Sequence, residues 1–273
     1  MTQVTVMEAP QRWPRPRPST FWRHRELLGF LIQRNIKVRY RQTFVGVAWS
    51  ILQPLTIMIV FTIVFGRVAK IPSDGIPYPV FVLAGLLPWS YFANSVTLTS
   101  QSMLGNASLI TKVYFPRILL PASTVLTPLV DFAVSLLLLF VLLPVYGVGF
   151  HLTILLLPVL FLALVLTAFS ISVWLAAINV RYRDVGFVVP VLLQLWLFLT
   201  PVIYPGRLVP DGTLRVVYSL NPMVGIVELF RWALAGGPAP GAFLLSSGIV
   251  VLALLSTGWV YFLRTEQTFA DVI

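Results

Sequence analysis

The sequence predicts an all-α integral membrane protein with six transmembrane helices, an amphipathic interfacial helix before the first and short outer helices before the last. Of the 273 residues, 58% are hydrophobic and 10% are charged, and the mean hydropathy is +0.90. A soluble domain of this length needs far more polar surface. Six apolar stretches and a one-sided distribution of cations predict the number and direction of the crossings.

The net charge of +10 does not indicate a nucleic-acid-binding protein. The basic residues lie beside apolar stretches and form no solvated patch, so orientation in a membrane accounts for them better. Cysteine is absent, which excludes disulfides, iron–sulfur ligation and thiol chemistry.

Residues 1–25 are predicted to form a flexible cytoplasmic arm, because they contain five arginines and four prolines. A cleaved signal peptide needs an apolar core of about 7 to 15 residues, and this arm has none. The first span is therefore expected to act as its own membrane signal. Residues 26–273 are predicted to form a single membrane domain.

The segment before the first span is typical of a helix that lies on a membrane before entering it. With about 100° between successive residues, its apolar and cationic residues separate onto two sides. The apolar side carries Leu28, Leu31, Ile32, Ile36 and Tyr40, and the other side carries Arg34, Lys37 and Arg41. Arg39 falls on the apolar side, where its guanidinium can reach a phosphate or a carboxylate. The simpler interpretation is that these cations only hold the segment on the cytoplasmic side.

Six stretches reach the length of about 20 apolar residues that a transmembrane helix requires. They cover residues 44–66, 79–99, 118–146, 152–179, 185–203 and 242–263. With the amino terminus inside, fourteen lysines and arginines lie in cytoplasmic segments, and five lie outside, at Arg67, Lys70, Arg207, Arg215 and Arg231. This positive-inside bias places both termini in the cytoplasm.

The first inner connection, residues 100–116, is too polar to span and predicts a brief amphipathic helix. Asn106 or Ser108 is suited to cap this helix, and Pro116 is suited to end it. Its apolar residues are expected to be exposed between lipid and solvent as a docking surface for a partner: Leu109, Ile110, Val113, Tyr114 and Phe115. A helix that simply rests on the membrane is the alternative.

The apolar run from Val216 to Ala235 resembles a seventh span, but Asn221 and Pro222 divide it. Asparagine is a common helix cap and proline suits the first helical turn, so two short outer helices are predicted instead. Glu228 and Arg231 are three residues apart on the second of these helices, face the same way and can pair.

The sequence shows no catalytic or metal-binding constellation. The two histidines, His24 and His151, lie on opposite sides in this topology. A phosphate-binding loop requires a Gly-Lys pair, and none of the three lysines follows a glycine. Any ATP hydrolysis on which this chain depends is therefore expected on another polypeptide.

Asp131 is the one acidic residue well inside a predicted span. An intramembrane carboxyl group is costly, so Asp131 is expected to face protein or water. A structural hydrogen bond or salt bridge is favoured over proton coupling, because no second intramembrane acid or histidine provides a relay.

Four motifs, in the same order, resemble the permease subunits of the ABC exporters for bacterial surface polysaccharides, the family that handles O-antigen, capsule and teichoic acid chains. The motifs are Arg39 to Thr43 with Gly46 and Trp49 to Pro54, Leu87-Pro88-Trp89, Lys112 to Pro121 with Asp131 and Phe132, and Asn221 to Arg231. The resemblance covers nearly the whole chain from residue 26 onward.

The resemblance implies a homodimer in the bacterial inner membrane that carries two copies of a separate ATPase, where ATP and Mg²⁺ bind. The helix between the second and third spans would be a coupling helix that contacts the ATPase through Asn106, Leu109, Lys112, Tyr114 and Phe115. Arg34, Arg39 and Arg41 would meet the diphosphate of a polyprenyl-linked glycan, and Asp131, Glu228 and Arg231 would be structural or gating residues.

Two other functions stay open from the sequence. A related permease for a drug or a lipid would share this architecture with a narrower path. A membrane-embedded glycan or acyl transferase would need a convergent acid, base or metal cluster, which the sequence does not show.

Overall fold

The computed structural model of the chain describes residues 19–40, 46–241 and 243–269, and within these ranges the secondary structure is entirely helical. Most of the polypeptide lies in twelve α-helices joined by short turns. In chain order, α1 to α12 are Ser19–Arg23, Arg25–Tyr40, Gly46–Phe61, Tyr78–Ser100, Ala107–Lys112, Leu119–Thr124, Leu129–Val145, Leu157–Arg181, Val185–Phe198, Thr213–Ser219, Pro222–Ala235 and Phe243–Thr265.

Five helical segments in the described ranges are long and apolar enough to cross a membrane. The first segment is α3 with the π-helical turn that follows it, and the third consists of α6 and α7 in succession. Turns of 3₁₀ helix extend α8 and α12. The five segments are Ala48–Val68, Tyr78–Ser100, Leu119–Val145, Leu152–Arg181 and Leu244–Thr268. The chain is therefore a multi-pass membrane protein.

The second of these segments, α4, lies at the centre of the bundle. In its most apolar window 78% of the residues are buried, against 6% in the first segment and 11% in the last. Helices α3, α7, α8, α9 and α11 all pack against it. The end of the bundle with α2 and α5 is termed the inner end, and the end with α10 and α11 the outer end.

Helix α9 differs from the predicted fifth span, because it ends at Phe198 and not at residue 203. Its 14 residues extend only about 21 Å at 1.5 Å per residue, less than the thickness of a bilayer core. The chain turns at Thr200, whose hydroxyl donates back to the Trp196 carbonyl at 3.0 Å, and Pro201 follows with no N–H to continue the helix.

The segment after α9 nevertheless completes the path along α4. At the inner end the Gln101 amide donates to the Gly186 carbonyl at 3.2 Å. Midway, the Trp196 ring packs edge-on against an aromatic ring of α4. At the outer end the Tyr78 hydroxyl donates to the Ile203 carbonyl at 2.8 Å. Residues 186–203 therefore reach from one end of α4 to the other.

The third span was predicted as one helix but is broken between α6 and α7. Pro128 precedes the first residue of α7, and the turns before it leave carbonyls without helical partners. The buried carbonyl of Val125 accepts hydrogen bonds from the hydroxyls of Tyr91 and Ser95, each at 2.9 Å. Irregular backbone at this depth is stable because neighbouring protein satisfies it.

The predicted division of the outer run at Asn221 and Pro222 is confirmed by the separate helices α10 and α11. The Asn221 side chain accepts a hydrogen bond from the Met223 N–H at 3.0 Å, as an N-cap does. Its amide group also donates to the Leu199 carbonyl at 3.0 Å, which ties the cap to the end of α9. Gly236 ends α11 in the left-handed conformation, with φ of 69°.

The amino-terminal and carboxy-terminal ends of the described chain meet at the inner end. The Phe21 ring of α1 packs edge-on against the Trp259 ring of α12, with 5.5 Å between the ring centres. In the described part of the predicted arm over residues 1–25, α1 is helical and α2 begins at Arg25. Residues 1–18 of that arm lie outside the described residues.

Candidate functional site

Asp131, in the first turn of α7, accepts three side-chain hydrogen bonds from α2 and α3. Arg39 Nη2 lies 2.8 Å from Asp131 Oδ2 and forms an ion pair with it. The Tyr40 hydroxyl donates to Oδ1 at 2.7 Å, and the Ser50 hydroxyl donates to the same oxygen at 2.5 Å. The salt bridge and hydrogen bonds expected of an intramembrane carboxylate are both present.

These contacts join helix α2 and the first span to the third. Each is charge-assisted, because the carboxylate accepts it. Burial and the hydrogen bond to Asp131 raise the pKa of Tyr40 to about 12, so its phenol stays protonated and donates. The Arg39 and Asp131 side chains remain 31% and 20% exposed. Arg39, predicted to reach a phosphate or a carboxylate, therefore contacts a carboxylate that the chain does not cover completely.

Arg34, one turn earlier on α2, contacts the segment before α5. Its guanidinium donates to the side-chain oxygen of Asn106. The Asn106 amide donates in turn to the Ser102 carbonyl at 2.8 Å. Of the two predicted cap residues, Asn106 does occupy the N-cap position of α5, but its side chain bonds to Arg34 and Ser102 and not to an N–H of α5.

Asn35 adds a second contact between α2 and the body of the bundle, because its amide lies 3.3 Å from the Ser123 hydroxyl of α6. Helix α2 is thus held by α6, by α7 and by the turn before α5. Arg41, the third arginine predicted to meet a substrate headgroup, lies outside the described residues.

The short helix α5 and the three residues after it, 107–115 in all, form a partly exposed segment at the inner end that is termed the ledge. Tyr114 is fully exposed, and Val113 and Lys112 are also exposed. Ile110 and Phe115 were predicted to be exposed, which is wrong, since both are buried with 5% and 8% exposure. They hold the ledge to the bundle, and Tyr114 projects from it.

A cavity of about 330 Å³ lies along this ledge. Leu109, the remaining apolar residue of the predicted docking surface, is only partly buried, at the edge of the core. Helix α5 ends at Lys112, four residues before the expected stop at Pro116. The cavity is lined by Ile110, Thr111, Lys112, Val113, Tyr114, Phe115 and Arg117.

Glu228 and Arg231 form the ion pair predicted from their spacing on α11, with Arg231 Nη1 3.2 Å from Glu228 Oε1. The same carboxylate oxygen accepts the Gly206 N–H at 3.2 Å. Burial raises the pKa of Glu228, and the adjacent guanidinium opposes that rise. The pair therefore lies in protein at the outer end of the bundle and not at a solvent-exposed surface.

Arg231 is 1% exposed, and its other contacts were not predicted from the sequence. Its Nη2 donates to the carbonyls of Pro201 and Val202, at 2.6 and 3.2 Å. Its guanidinium carbon lies 3.6 Å from the centre of the Phe81 ring, a cation–π contact. Arg231 therefore satisfies the carbonyls freed where α9 ends and joins that break to α4.

Among the predicted site residues that the structure describes, two charged groups stand out, an inner cluster and an outer cluster, and Phe132 beside Asp131 packs edge-on against Phe230 beside Arg231. The inner cluster contains Arg34, Arg39, Asn106 and Asp131, and the outer cluster contains Glu228 and Arg231. In the part of the chain that the structure describes, no three histidine or acidic side chains gather where they could hold a metal ion.

Comparison with known proteins shows similarity along nearly the whole chain. It is 36% identical over 262 residues to the O-antigen export system permease protein RfbA of Myxococcus xanthus, covering 92% of this chain and 97% of that protein. It is 26% identical over 249 residues to the protein of the same name from Klebsiella pneumoniae, covering 91% and 95%. It is 26% identical over 209 residues to the polysialic acid transport protein KpsM of Escherichia coli, covering 76% and 80%.

The family match begins in the first turn of α2 and ends with α11. It includes the inner cluster, the ledge at α5 and the outer ion pair. Since residues 26–235 match the ABC-2 type transporter family, the chain belongs to that family of transporter membrane subunits.

Proposed function

We propose that this chain is the membrane-spanning subunit of an ATP-driven exporter that moves a lipid-linked polysaccharide of the O-antigen, capsule or teichoic acid type across the bacterial inner membrane. The similarity to an O-antigen export permease, at 36% identity over 97% of that protein, is the observation that carries this proposal.

Six crossings fit the structure better than five. Residues 186–203 reach along the full length of α4, so α9 with the segment after it completes a crossing that its helical part alone is too short to make. An even number of crossings also agrees with the contact between α1 and α12. The positive-inside bias then supports cytoplasmic termini, with α10 and α11 dipping into the outer leaflet.

Helix α2 is proposed to lie at the cytoplasmic surface and to receive the diphosphate headgroup of the lipid carrier. Arg34 and Arg39 both lie on it, and Arg39 is close to the point where the chain enters lipid. The guanidinium group suits phosphate because it offers several donors in a planar fork. Arg39 is paired there with Asp131.

The ledge at α5 is proposed to be the contact with a separate ATPase, on which ATP and Mg²⁺ bind. A fully exposed tyrosine, Tyr114, beside the cation Lys112 gives this surface both an apolar and a charged group. The bond between Arg34 and Asn106 links this region to α2, so movement of the ledge would reach the headgroup site. Two such chains with two ATPases would form the transporter.

The experiment deletes the gene for this chain in its host and complements the deletion with wild type or variants. Surface polysaccharide is then measured by immunoblot. Loss of the surface glycan on deletion, with lipid-linked glycan accumulating inside the cell, is the expected result. Unchanged surface glycan on deletion contradicts the proposal and would favour the drug or lipid permease.

Arg39→Ala is expected to lower export at least tenfold at equal protein level, because of the headgroup arginines that the structure describes it removes the one nearest the first span. The matched control is Lys37→Ala, which removes one exposed positive charge from the same helix and is expected to keep most of the export. Equal loss from both variants would show that only the total charge of α2 matters.

A further inference from the structure

We propose that Asp131 is a resident anion that occupies Arg39 until a lipid-borne diphosphate displaces it. The inference rests on the proposed headgroup role of Arg39 and adds a named competitor to that site. In the absence of the ligand, Asp131 prevents weak anions from binding Arg39. A ligand with more charge and more acceptor oxygens displaces Asp131.

The ion pair has the geometry of an exchangeable contact. One nitrogen, Arg39 Nη2, meets one oxygen, Asp131 Oδ2, at 2.8 Å, so the pair lacks the two parallel hydrogen bonds of the strongest arginine–carboxylate contacts. The chain covers neither partner completely, with 31% and 20% of their side chains exposed. An approaching anion therefore has access to Arg39 without unfolding the bundle.

Asp131 stays hydrogen-bonded when Arg39 leaves. Its other oxygen, Oδ1, accepts the hydroxyls of Tyr40 and Ser50, at 2.7 and 2.5 Å. A buried carboxylate that loses its sole partner is strongly destabilised, but two retained donors reduce that cost here. The exchange therefore does not leave an unsatisfied charge behind.

A lipid diphosphate matches the surroundings of this pair better than a free anion. It carries more negative charge than a carboxylate and presents oxygens to both edges of the guanidinium fork. Beside Ser50 on α3, Trp49 and Leu52 are 60% and 49% exposed, so an apolar surface lies next to the charged group. A ligand with an anionic head and a hydrocarbon chain can contact both.

Competition between Asp131 and the ligand predicts the sign of the change in ligand affinity when Asp131 loses its charge, and a purely structural ion pair predicts a different sign. If Asp131 occupies Arg39 for most of the time, the apparent affinity of the ligand is reduced by the unoccupied fraction of Arg39. Removing the negative charge of Asp131 then strengthens binding. If Asp131 only positions Arg39, the same change weakens binding or leaves it unchanged.

The test uses the full chain purified in detergent and farnesyl diphosphate as the probe, with binding measured by titration calorimetry. Asp131→Asn keeps the size of the side chain and the acceptor for Tyr40 and Ser50. It is expected to tighten binding about threefold to fivefold, which corresponds to the strength of a partly exposed ion pair. Arg39→Ala is expected to weaken binding, and the double variant is expected to match Arg39→Ala. Binding by Asp131→Asn that is equal to or weaker than wild type overturns the proposal.

Two further arms keep the result interpretable. If Asp131→Asn does not fold, Ser50→Ala tests the same competition. Loss of a donor to Oδ1 makes Asp131 hold Arg39 more strongly and weakens probe binding, and unchanged or tighter binding overturns the proposal.

Vesicles of phosphatidylcholine with or without phosphatidylglycerol identify the source of the phosphate. Competition by phosphatidylglycerol as strong as that by farnesyl diphosphate overturns the assignment to a diphosphate.

Failure of this inference is distinct from failure of the proposed function. Probe binding that depends on Arg39 but not on Asp131 removes the competitor and leaves the headgroup role intact. Probe binding that depends on neither residue removes the headgroup role itself. Export of polysaccharide by the complemented host is measured independently of both.

Discussion

The two charged clusters differ in exposure and in the number of partners around the arginine. At the inner end Arg39 is 31% exposed and makes one contact to Asp131. At the outer end Arg231 is 1% exposed and contacts a carboxylate, two backbone carbonyls and an aromatic ring. The inner pair can exchange its partner for a ligand, whereas the outer pair is part of the packed structure.

Removing Arg231 is expected to cause the largest loss of stability. Arg231→Ala leaves Glu228 buried without its cation and leaves the carbonyls of Pro201 and Val202 buried without their donor. The free energy of unfolding is expected to fall by about 3–5 kcal/mol. The measurement is the melting temperature and the yield of folded chain in detergent. The control is Arg215→Ala, whose ion pair with Asp211 is exposed and contributes about 0–1 kcal/mol. Similar effects from both variants would contradict the distinction between the clusters.

Gly85 tests how tightly the outer cluster is packed. A Cβ at this position of α4 would lie 2.9 Å from Arg231 Nη2 and 3.3 Å from the Val202 Cα. Gly85→Ala is therefore expected to destabilise the chain by about 1–3 kcal/mol through overpacking. In Gly248→Ala the added methyl meets no atom within 4 Å, so its melting temperature is expected to match or exceed that of wild type. A neutral Gly85→Ala would show that the outer cluster can adjust.

A smaller effect is expected at the inner end when one donor to Asp131 is removed. Tyr40→Phe deletes the hydroxyl that lies 2.7 Å from Oδ1, and Ser50 and Arg39 remain. The expected loss of stability is about 1 kcal/mol, the contribution of one hydrogen bond. Tyr114→Phe, which removes a hydroxyl from a fully exposed ring, is the control and is expected to leave the melting temperature unchanged. A loss as large as that of Arg231→Ala would show that the inner network is also rigid.

The smallest effect on stability is expected at the ledge, where the proposed consequence is loss of a partner. Tyr114→Asp is expected to keep the melting temperature, because the side chain is fully exposed, and to reduce co-purification of the ATPase. Tyr146→Asp changes an exposed tyrosine at the outer end and is expected to retain the ATPase. Retention of the ATPase by both variants would exclude Tyr114 from the contact.

Local sequence was a good guide where the partners are close in the chain. The split at Asn221 and the pairing of Glu228 with Arg231 depend on neighbours within one helical turn, and both are present. The ends of the outer helices follow from the same local rules, because capping and proline geometry involve only adjacent residues.

Predictions failed where distant residues compete for the same side chain or surface. Asn106 is suited to cap α5, but Arg34, far earlier in the chain, takes its side-chain oxygen. Ile110 and Phe115 belong to an apparently amphipathic segment, but the bundle buries them. The arginine partner of Asp131 and the aromatic partner of Arg231 likewise come from other helices, and no local pattern identifies them.

The sequence by itself determined that this chain crosses a membrane several times and that it resembles a polysaccharide-export permease. Those properties depend on composition, on apolar length and on motifs that are continuous in the chain. Tertiary structure decided which arginine is exchangeable and which is buried, because exposure and the choice of partner depend on how helices pack. The short α9 and the broken third span belong to the same category, since each irregular segment is stable only where side chains of other helices bind its free carbonyls.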